Sequence, residues 1–289
     1  MATGLPETDK NKPRVHFDIY AILEGSQELY FGHEVQVNVN LVETVKLSSK
    51  DGKSLEKCYI SPTKRRGVER RCLIWAPVSS GKLLGDKKNC GIPDTCAEPG
   101  CPICRVYGGL IAGKKTLIGR VTHGGGVAVQ DILPQEKQRA MHPARLVNQK
   151  EETPTPFKRE YNQPGILYPV SNHCLSVTDS EFAAVAYGFL DSLPRIGSGN
   201  PKGLAIAEHK QMPLLVLDRY LVPKGKRPIV SPSETNPEAA IDEFIRLART
   251  PEKNTNHIQS THFQRWIGDA ALEQLQEYAS RFVDEVLQA

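Results

Sequence analysis

Residues 166–190 read ILYPVSNHCLSVTDSEFAAVAYGFL, and this stretch predicts a β-strand that passes directly into a helix. The strand covers residues 166–177. Thr178 and Glu181 have the T-x-x-E spacing of a capping box, which marks the start of the helix. PLLVLDRYLV at 213–222 reads as the next strand. This part of the chain therefore resembles a β-α-β unit.

The first third of the chain predicts further strands. Val15, Phe17 and Ile19 alternate with polar or half-polar neighbours, and residues 35–41 show the same period of two. That period is typical of half-buried strands. CLIWAPV at 72–78 is a short apolar run, which predicts a buried strand that ends at a proline.

The middle and the end of the chain differ in character. Strand candidates lie at 116–121 and 127–133. Residues 134–165 have few large apolar side chains, so they cannot bury a core of their own and are expected to project from the body. Near the C-terminus the pattern predicts two amphipathic helices, with Asn236 and Asp269 as their N-caps.

Charge is unevenly distributed along the 289 residues. Lys and Arg number 37 against 33 Asp and Glu, for a formal net charge of +4. Residues 234–289 carry a net −5, so residues 1–233 carry a net +9. A basic body suggests a polyanionic partner, with a merely solvated surface as the alternative. No apolar run approaches the roughly 20 residues of a membrane span, and the sequence predicts no secretory signal.

Four of the seven cysteines lie close together, at Cys90, Cys96, Cys101 and Cys104. Their C-x₅-C-x₄-C-x₂-C spacing is typical of a site in which four thiolates bind zinc in tetrahedral geometry. Because the protein would fill every coordination position, the spacing predicts a structural rather than a catalytic Zn²⁺. Disulfides and chance clustering are the alternatives.

Two segments nearly match catalytic motifs. GGLIAGKK at 108–115 lacks the Ser or Thr that follows the lysine of a phosphate-binding loop, and its predicted surroundings are wrong for one. HGGG at 123–126 resembles the oxyanion loop of esterases, but the chain has no G-x-S-x-G. The sequence therefore supports neither nucleotide hydrolysis nor esterase chemistry.

Basic residues form several clusters, of which KRRGVERR at 64–71 is the densest. Arginine side chains suit phosphate oxygens, and the glycine-rich loop RIGSGNPKG at 195–203 could offer backbone N–H groups to them. The clusters predict binding along a nucleic-acid backbone with little sequence readout; solvated loops are the alternative. The predicted RNA contacts are Lys64, Arg65, Arg66, Arg70, Arg71, Lys114, Lys115, Arg120, Arg139, Arg145, Arg195 and Lys202.

Several of these segments, in this order, resemble the backbone subunit of type I CRISPR Cascade complexes, a branch of the RAMP superfamily. They are CPICRVYGGLIAG at 101–113, PGILYPVSNHCLSV at 164–177 and RIGSGNPKG at 195–203. The variant that the chain resembles most is subtype I-D. The resemblance covers roughly residues 90–205, which is under half of the chain.

The resemblance implies an α+β fold, namely a modified ferredoxin-like (RRM-type) palm with an inserted zinc-binding finger, a projecting thumb and C-terminal helices. The thumb would lie within 127–165, with Met141, His142 and Pro143 near its tip, where an apolar wedge could separate base steps. The implied division of the chain is 1–80 and 166–233 for the two parts of the palm, 81–115 for the finger, 116–165 for strands and thumb, and 234–289 for the acidic helical segment.

The family's function implies the partners. Copies of the subunit would lie side by side along a guide RNA (crRNA), grip its phosphates and present it to a target DNA or RNA, while pairing supplies the sequence recognition. Other Cascade subunits would be partners, no membrane would be involved, and the location would be the prokaryotic cytoplasm. Such a subunit is usually not the nuclease, although related subunits cut RNA with a thumb aspartate, for which Asp131 is the candidate.

Two other functions remain open from the sequence. One is a RAMP-family endoribonuclease, which needs a titratable residue at the RNA. The other is a stand-alone zinc-containing RNA-binding protein. Multimers on RNA of defined length would favour the Cascade-like subunit over both alternatives.

Overall fold

The computed structural model describes residues 12–36, 39–48, 52, 54–139, 157–197, 203–249 and 257–288. Within these ranges no helix is long and apolar enough to cross a membrane. The strands are β1 (Val15–Glu24), β2 (Gly32–Gln36), β3 (Val39–Val42), β4 (Thr44–Ser48), β5 (Ser54–Cys58), β6 (Gly109–Ile111), β7 (Lys115–Leu117), β8 (Val121–Gly125), β9 (Gln135–Arg139), β10 (Phe157–Tyr161), β11 (Leu167–Val177), β12 (Ala205–Ile206), β13 (Glu208–His209), β14 (Met212–Pro213), β15 (Leu215–Tyr220), β16 (His257–Ser260) and β17 (Phe263–Ile267). The helices are α1 (Pro62–Ile74), α2 (Leu84–Lys88), α3 (Pro102–Tyr107), α4 (Asp179–Ser192), α5 (Pro237–Ala248) and α6 (Asp269–Phe282).

A central antiparallel sheet organises the molecule. Its strand order is β16-β17-β15-β1-β11-β8, and β12 also pairs with β1. Four adjacent strands at the β8 end of this sheet and two helices occur along the chain in the order β1-α1-β8-β11-α4-β15, with other elements inserted between them, which is a β-α-β-β-α-β order. The α+β prediction is therefore confirmed. Smaller sheets lie outside this unit, among them β2-β3-β10-β9.

One face of the central sheet is covered by α1, α4 and α6. Alternate residues of β1 point into this layer, and the rings of Phe17 and Phe182 stack with centroids 3.7 Å apart. Leu275 and Phe282 bring α6 onto the same core. Each such side chain contributes about 1.5–3 kcal/mol when it leaves water. The apolar stripe of α6 therefore packs within the chain.

The opposite face carries α5 over only part of its area. Ala240, Phe244 and Ala248 of α5 share a core with Tyr20 and Ile22 of β1. Other residues of β1 on this face lie outside that core and form the polar group described below. The sheet therefore has one fully covered face and one partly open face.

Helix starts agree with the sequence, with one exception. The Thr178 hydroxyl accepts a hydrogen bond from the Glu181 N–H at 3.2 Å, and the Glu181 carboxylate accepts from the Thr178 N–H at 2.9 Å, so the capping box is confirmed. Asn236 Oδ1 caps α5 through the Ala239 N–H at 3.1 Å. The N-cap of α6 is Gly268 rather than Asp269, because the chain turns into the helix with a φ of 64°.

The strand prediction for residues 72–78 is wrong, since these residues begin inside α1. Ser61 precedes α1, and a proline occupies its first turn, where no N–H partner is needed. The buried residues of α1 include Arg65, Val68, Glu69 and Cys72, which recur at helical spacing. Two of these buried residues, Arg65 and Glu69, are charged, so the sequence does not show the apolar periodicity that is typical of a helix.

The middle of the chain also differs from expectation. Residues 116–121 split between the ends of β7 and β8 rather than forming one strand, and 127–133 contain no strand. Val127 makes only an isolated bridge to Tyr59. β9 and β10 pair on either side of residues 140–156. The predicted thumb tip, Met141, His142 and Pro143, therefore lies outside the described residues.

Candidate metal centre and nucleic-acid interface

The four predicted cysteines come together in one cluster. The Sγ atoms of Cys90, Cys96, Cys101 and Cys104 all lie within 4.8 Å of one another. Cys104 Sγ is 3.4 Å from Cys90 Sγ and 3.7 Å from Cys96 Sγ. Four sulfurs bound tetrahedrally to Zn²⁺ at about 2.3 Å stand about 3.8 Å apart, so the cluster fits a metal of this kind. Three of the four cysteines are buried, as expected for a structural site.

Local backbone geometry forms the cluster. Cys101 is the N-cap of α3 and Cys104 lies in its first turn, so the C-x₂-C pair belongs to one helix start. Gly109 begins β6 beside the sulfurs, and a Cβ there would stand 2.9 Å from Cys104 Sγ and 3.0 Å from Ala97 Cα. Glycine is therefore required at position 109 if the sulfur of Cys104 is to keep its place.

The cluster is prepared to hold a cation. Hydrogen bonds within the cluster lower the pKa of Cys90 and raise that of Cys101, so the four thiols hold their protons unequally. The Arg70 guanidinium lies 3.8 Å from Cys104 Sγ and 3.9 Å from Cys90 Sγ, which partly balances the negative sulfurs. Arg70 also donates to the Gly108 carbonyl at 2.6 Å.

Arg65 lies in the interior and does not present itself to a ligand, contrary to its predicted role. It is 1% exposed, and burial lowers its pKa to about 10. Its guanidinium donates to Asn172 Oδ1 at 3.0 Å and to the Gly124 and Ser171 carbonyls at 2.6 and 3.1 Å. The guanidinium N–H groups of Arg65 are therefore already bonded to protein oxygens and are not available to a phosphate.

A buried polar network explains both the KRRGVERR run and the HGGG segment. The Glu69 carboxylate accepts hydrogen bonds from Tyr107 Oη at 3.0 Å, His123 Nε2 at 2.8 Å and Asn172 Nδ2 at 3.0 Å. Burial would raise the pKa of Glu69, but charge and hydrogen bonding from His123 lower it. Gly126 has a φ of 95°, and a Cβ there would stand 2.1 Å from the Ile60 carbonyl oxygen. Both segments thus join α1 to β8 and β11.

Other predicted cations also have protein partners. Lys64 pairs with Glu43 at 2.5 Å, and Arg66 donates to the Tyr107 carbonyl. The remaining pairs are Lys115 with Glu98 at 2.8 Å, Arg195 with Asp191 at 2.8 Å, and Arg120 with the Ser176 carbonyl at 3.4 Å. Surface pairs of this type are weak, so the exposed cations among them can exchange partners.

The side chains of Arg71 and Lys114 make no hydrogen bond or ion pair to the part of the chain that the structure describes. Arg71 lines a groove of about 280 Å³ together with Lys64, Ile196 and Gly197. This groove brings the basic run of α1 next to the start of the glycine-rich loop. Arg145 and Lys202 lie outside the described residues, as does the side chain of Arg139.

A polar row on the partly open sheet face was not predicted. Thr122, His173, Asp18, Asp218 and Arg265 are register neighbours on β8, β11, β1, β15 and β17. Arg265 holds Asp218 through two hydrogen bonds of 2.6 Å. No local signal could reveal the row, because each member comes from a different strand.

Asp18 is the centre of this row. It accepts hydrogen bonds from Tyr20 Oη at 2.8 Å, Tyr220 Oη at 3.1 Å and His173 Nδ1 at 2.9 Å, and Arg227 Nη1 lies 3.8 Å away. Burial would raise the pKa of Asp18, but the hydrogen bonds and charges of its neighbours lower it. A buried, ionised carboxylate therefore orients a surface histidine.

Asp131, the predicted candidate for RNA cleavage, is exposed. It lies near Lys57, whose pKa is lowered by burial and raised by the charge of Asp131. Lys57 Nζ donates to the Val129 carbonyl at 2.6 Å.

Comparison with known proteins gives limited similarity. No protein-family model matches the chain, and no curated protein matches it. A chain of a type IV-B CRISPR complex is 13% identical, with a TM-score of 0.44, over 75% of this chain and 96% of that chain. Csc2 of Thermofilum pendens is 12% identical, with a TM-score of 0.43, over 98% of this chain and 94% of that chain. Similarities of this size carry no conclusion about function.

Proposed function

We propose that this chain is a guide-RNA-binding backbone subunit of a multi-copy, Cascade-like CRISPR complex. The observation that carries the proposal is the β-α-β-β-α-β order, whose four strands lie side by side in the order β15-β1-β11-β8. That order is the one of a ferredoxin-like, RRM-type palm. The cysteine cluster is inserted between α1 and β8, and β9 and β10 are inserted between β8 and β11. The finger and the thumb of the family would occupy these two insertions.

The inserted cysteine cluster would hold one structural Zn²⁺. Four sulfurs supply four ligands, which leaves no position for a substrate or a water. The ion would fix the finger, which includes the β6–β7 hairpin and the exposed Lys114. The metal therefore shapes a surface, and the function of the subunit would not be catalytic.

The groove beside α1 is the favoured place for the guide phosphates. Arg71 lines it without a competing carboxylate, and Gly197 lets a backbone approach closely. Arg65 belongs to the interior, so it has no part in this interface. Binding through phosphates should weaken steeply with salt, with log K falling linearly against log salt concentration.

The assembly would contain further copies of the chain, other Cascade subunits and a target strand that pairs with the guide. It would act in the prokaryotic cytoplasm. The acidic C-terminal helices could contact the basic body of a neighbouring copy, because their net charge of −5 opposes the +9 of residues 1–233. Subtype I-D remains the variant that the sequence resembles.

The proposal is tested by the RNA that the protein retains. Protein produced together with a CRISPR array should co-purify with RNA of uniform length, and sequencing should find repeat-derived ends. The R71E/K114E variant should lose most of this RNA. R246E/R281E, which changes the charge equally on the acidic helices, should keep it. Random cellular RNA on a monomer would instead favour a stand-alone RNA-binding protein, and cut RNA an endoribonuclease.

A further inference from the structure

His173 lies next to Thr122 in the polar row, and its two ring nitrogens are in different situations. Nδ1 is 2.9 Å from Asp18 Oδ1, and the side chain is 28% exposed. Nε2 makes no hydrogen bond within the described residues. The ring of Tyr20 meets the imidazole edge-on, with centroids 5.6 Å apart, and restricts its rotation. One nitrogen is thus fixed inside while the other faces outward.

The carboxylate determines the tautomer. An ionised Asp18 can only accept hydrogen bonds, so Nδ1 of His173 must carry a proton and donate it. In the neutral imidazole, Nε2 then has a free lone pair and can only accept. Tyr20 and Tyr220 use their hydroxyl protons on Asp18, so neither competes for that lone pair.

The 221–229 loop brings basic side chains to this side of the sheet. Arg227 is 45% exposed beside Asp18, and Lys224 and Lys226 are exposed in the same 221–229 loop. These side chains would attract a polyanionic backbone to this side of the sheet. A phosphodiester offers only acceptors, whereas the ribose 2′-hydroxyl of RNA is a donor that DNA lacks.

We propose that His173, oriented by Asp18, accepts a hydrogen bond at Nε2 from a ribose 2′-hydroxyl and so makes this face select RNA over DNA. The inference rests on the proposed function only in requiring that the chain binds RNA. It adds a residue that reads the sugar, on the sheet face opposite the α1 groove.

The experiment measures the affinities of the purified chain for RNA and DNA oligonucleotides of one sequence by fluorescence anisotropy. One neutral hydrogen bond predicts up to about a tenfold preference for RNA per site. H173F keeps an aromatic ring but removes the acceptor, so its RNA-to-DNA ratio should fall to about one with DNA affinity unchanged. H173Q, whose side-chain oxygen can accept, should recover part of the preference. H209F and H16F, which change histidines outside the contact with Asp18, are controls that should keep the preference.

Three results would overturn the inference. An H173F variant that keeps the RNA preference would remove His173 from the interface. Equal wild-type affinity for RNA and DNA would refute sugar reading while leaving guide-RNA binding intact. RNA cleavage that depends on His173 would show that the imidazole acts as a general base and not only as a hydrogen-bond acceptor for the 2′-hydroxyl. A chain that binds no RNA at all would instead refute the proposed function.

Discussion

Arg65 donates a hydrogen bond of 3.0 Å to Asn172 inside the protein, and the same asparagine donates to Glu69. The basic run in which Arg65 lies is therefore partly a structural element. Its buried members join α1 to the central sheet, and Arg71 of the same helix lines an outer groove. One helix thus serves both the interior and a surface.

Replacing Arg65 should destabilise the fold rather than release RNA selectively. In Arg65→Met the carboxylate of Glu69 loses a buried positive neighbour, and two carbonyls lose their donor. Breaking a buried charge pair in this way costs about 3–5 kcal/mol. Lys64→Met, at the half-buried neighbouring pair, should cost about 1 kcal/mol or less. Urea unfolding of the two variants measures the difference, and equal stability would contradict the internal role of Arg65.

Metal removal should destabilise the finger. Purified protein should contain about one zinc per chain, and Cys104→Ser should lower both the zinc content and the melting temperature. Cys58→Ala is the control, because Cys58 lies apart from the cluster and burial raises its pKa to about 12. Elemental analysis and thermal unfolding give the two readouts. Zinc content that is unchanged in Cys104→Ser would contradict the assignment.

Acid should weaken the fold through its buried carboxylates. Burial would raise the pKa of Glu181, but hydrogen bonds from Arg14, the Thr178 N–H and Arg105 lower it below the ordinary value. A lowered pKa stabilises the fold fully above the unfolded pKa of about 4.3, and that contribution is lost as the pH falls through the lower folded value. Unfolding free energies from pH 7 to pH 3 should therefore decrease, and Glu181→Gln should show a shallower decrease. An identical slope in the variant would contradict this origin.

Local patterns in the sequence predict those features whose partners are close along the chain. The capping box at Thr178 and the cysteine cluster depend on spacings of a few residues, and both are found as expected. The sequence predicts a strand where α1 ends, because buried Arg65 and Glu69 interrupt the apolar period of the helix. The hydrogen bond between Asp18 and His173 joins residues 155 positions apart. Sequence periodicity contains no information about such a contact.

Gly109 offers a test of the metal centre that leaves every cysteine in place. Its backbone is in an ordinary conformation, so Gly109→Ala introduces no strain by itself, but the new methyl group would stand 2.9 Å from Cys104 Sγ. The sulfur must shift, and a tetrahedral site tolerates little displacement, so zinc affinity should fall at least about tenfold. Gly113→Ala is the matched control, because its Cβ meets no atom within 4 Å although its φ is +69°. The Gly113→Ala variant should lose about 1 kcal/mol of unfolding free energy and should keep the zinc affinity of the unsubstituted protein. Competition with a chelator measures both affinities, and equal values would show that Cys104 is not held against Gly109.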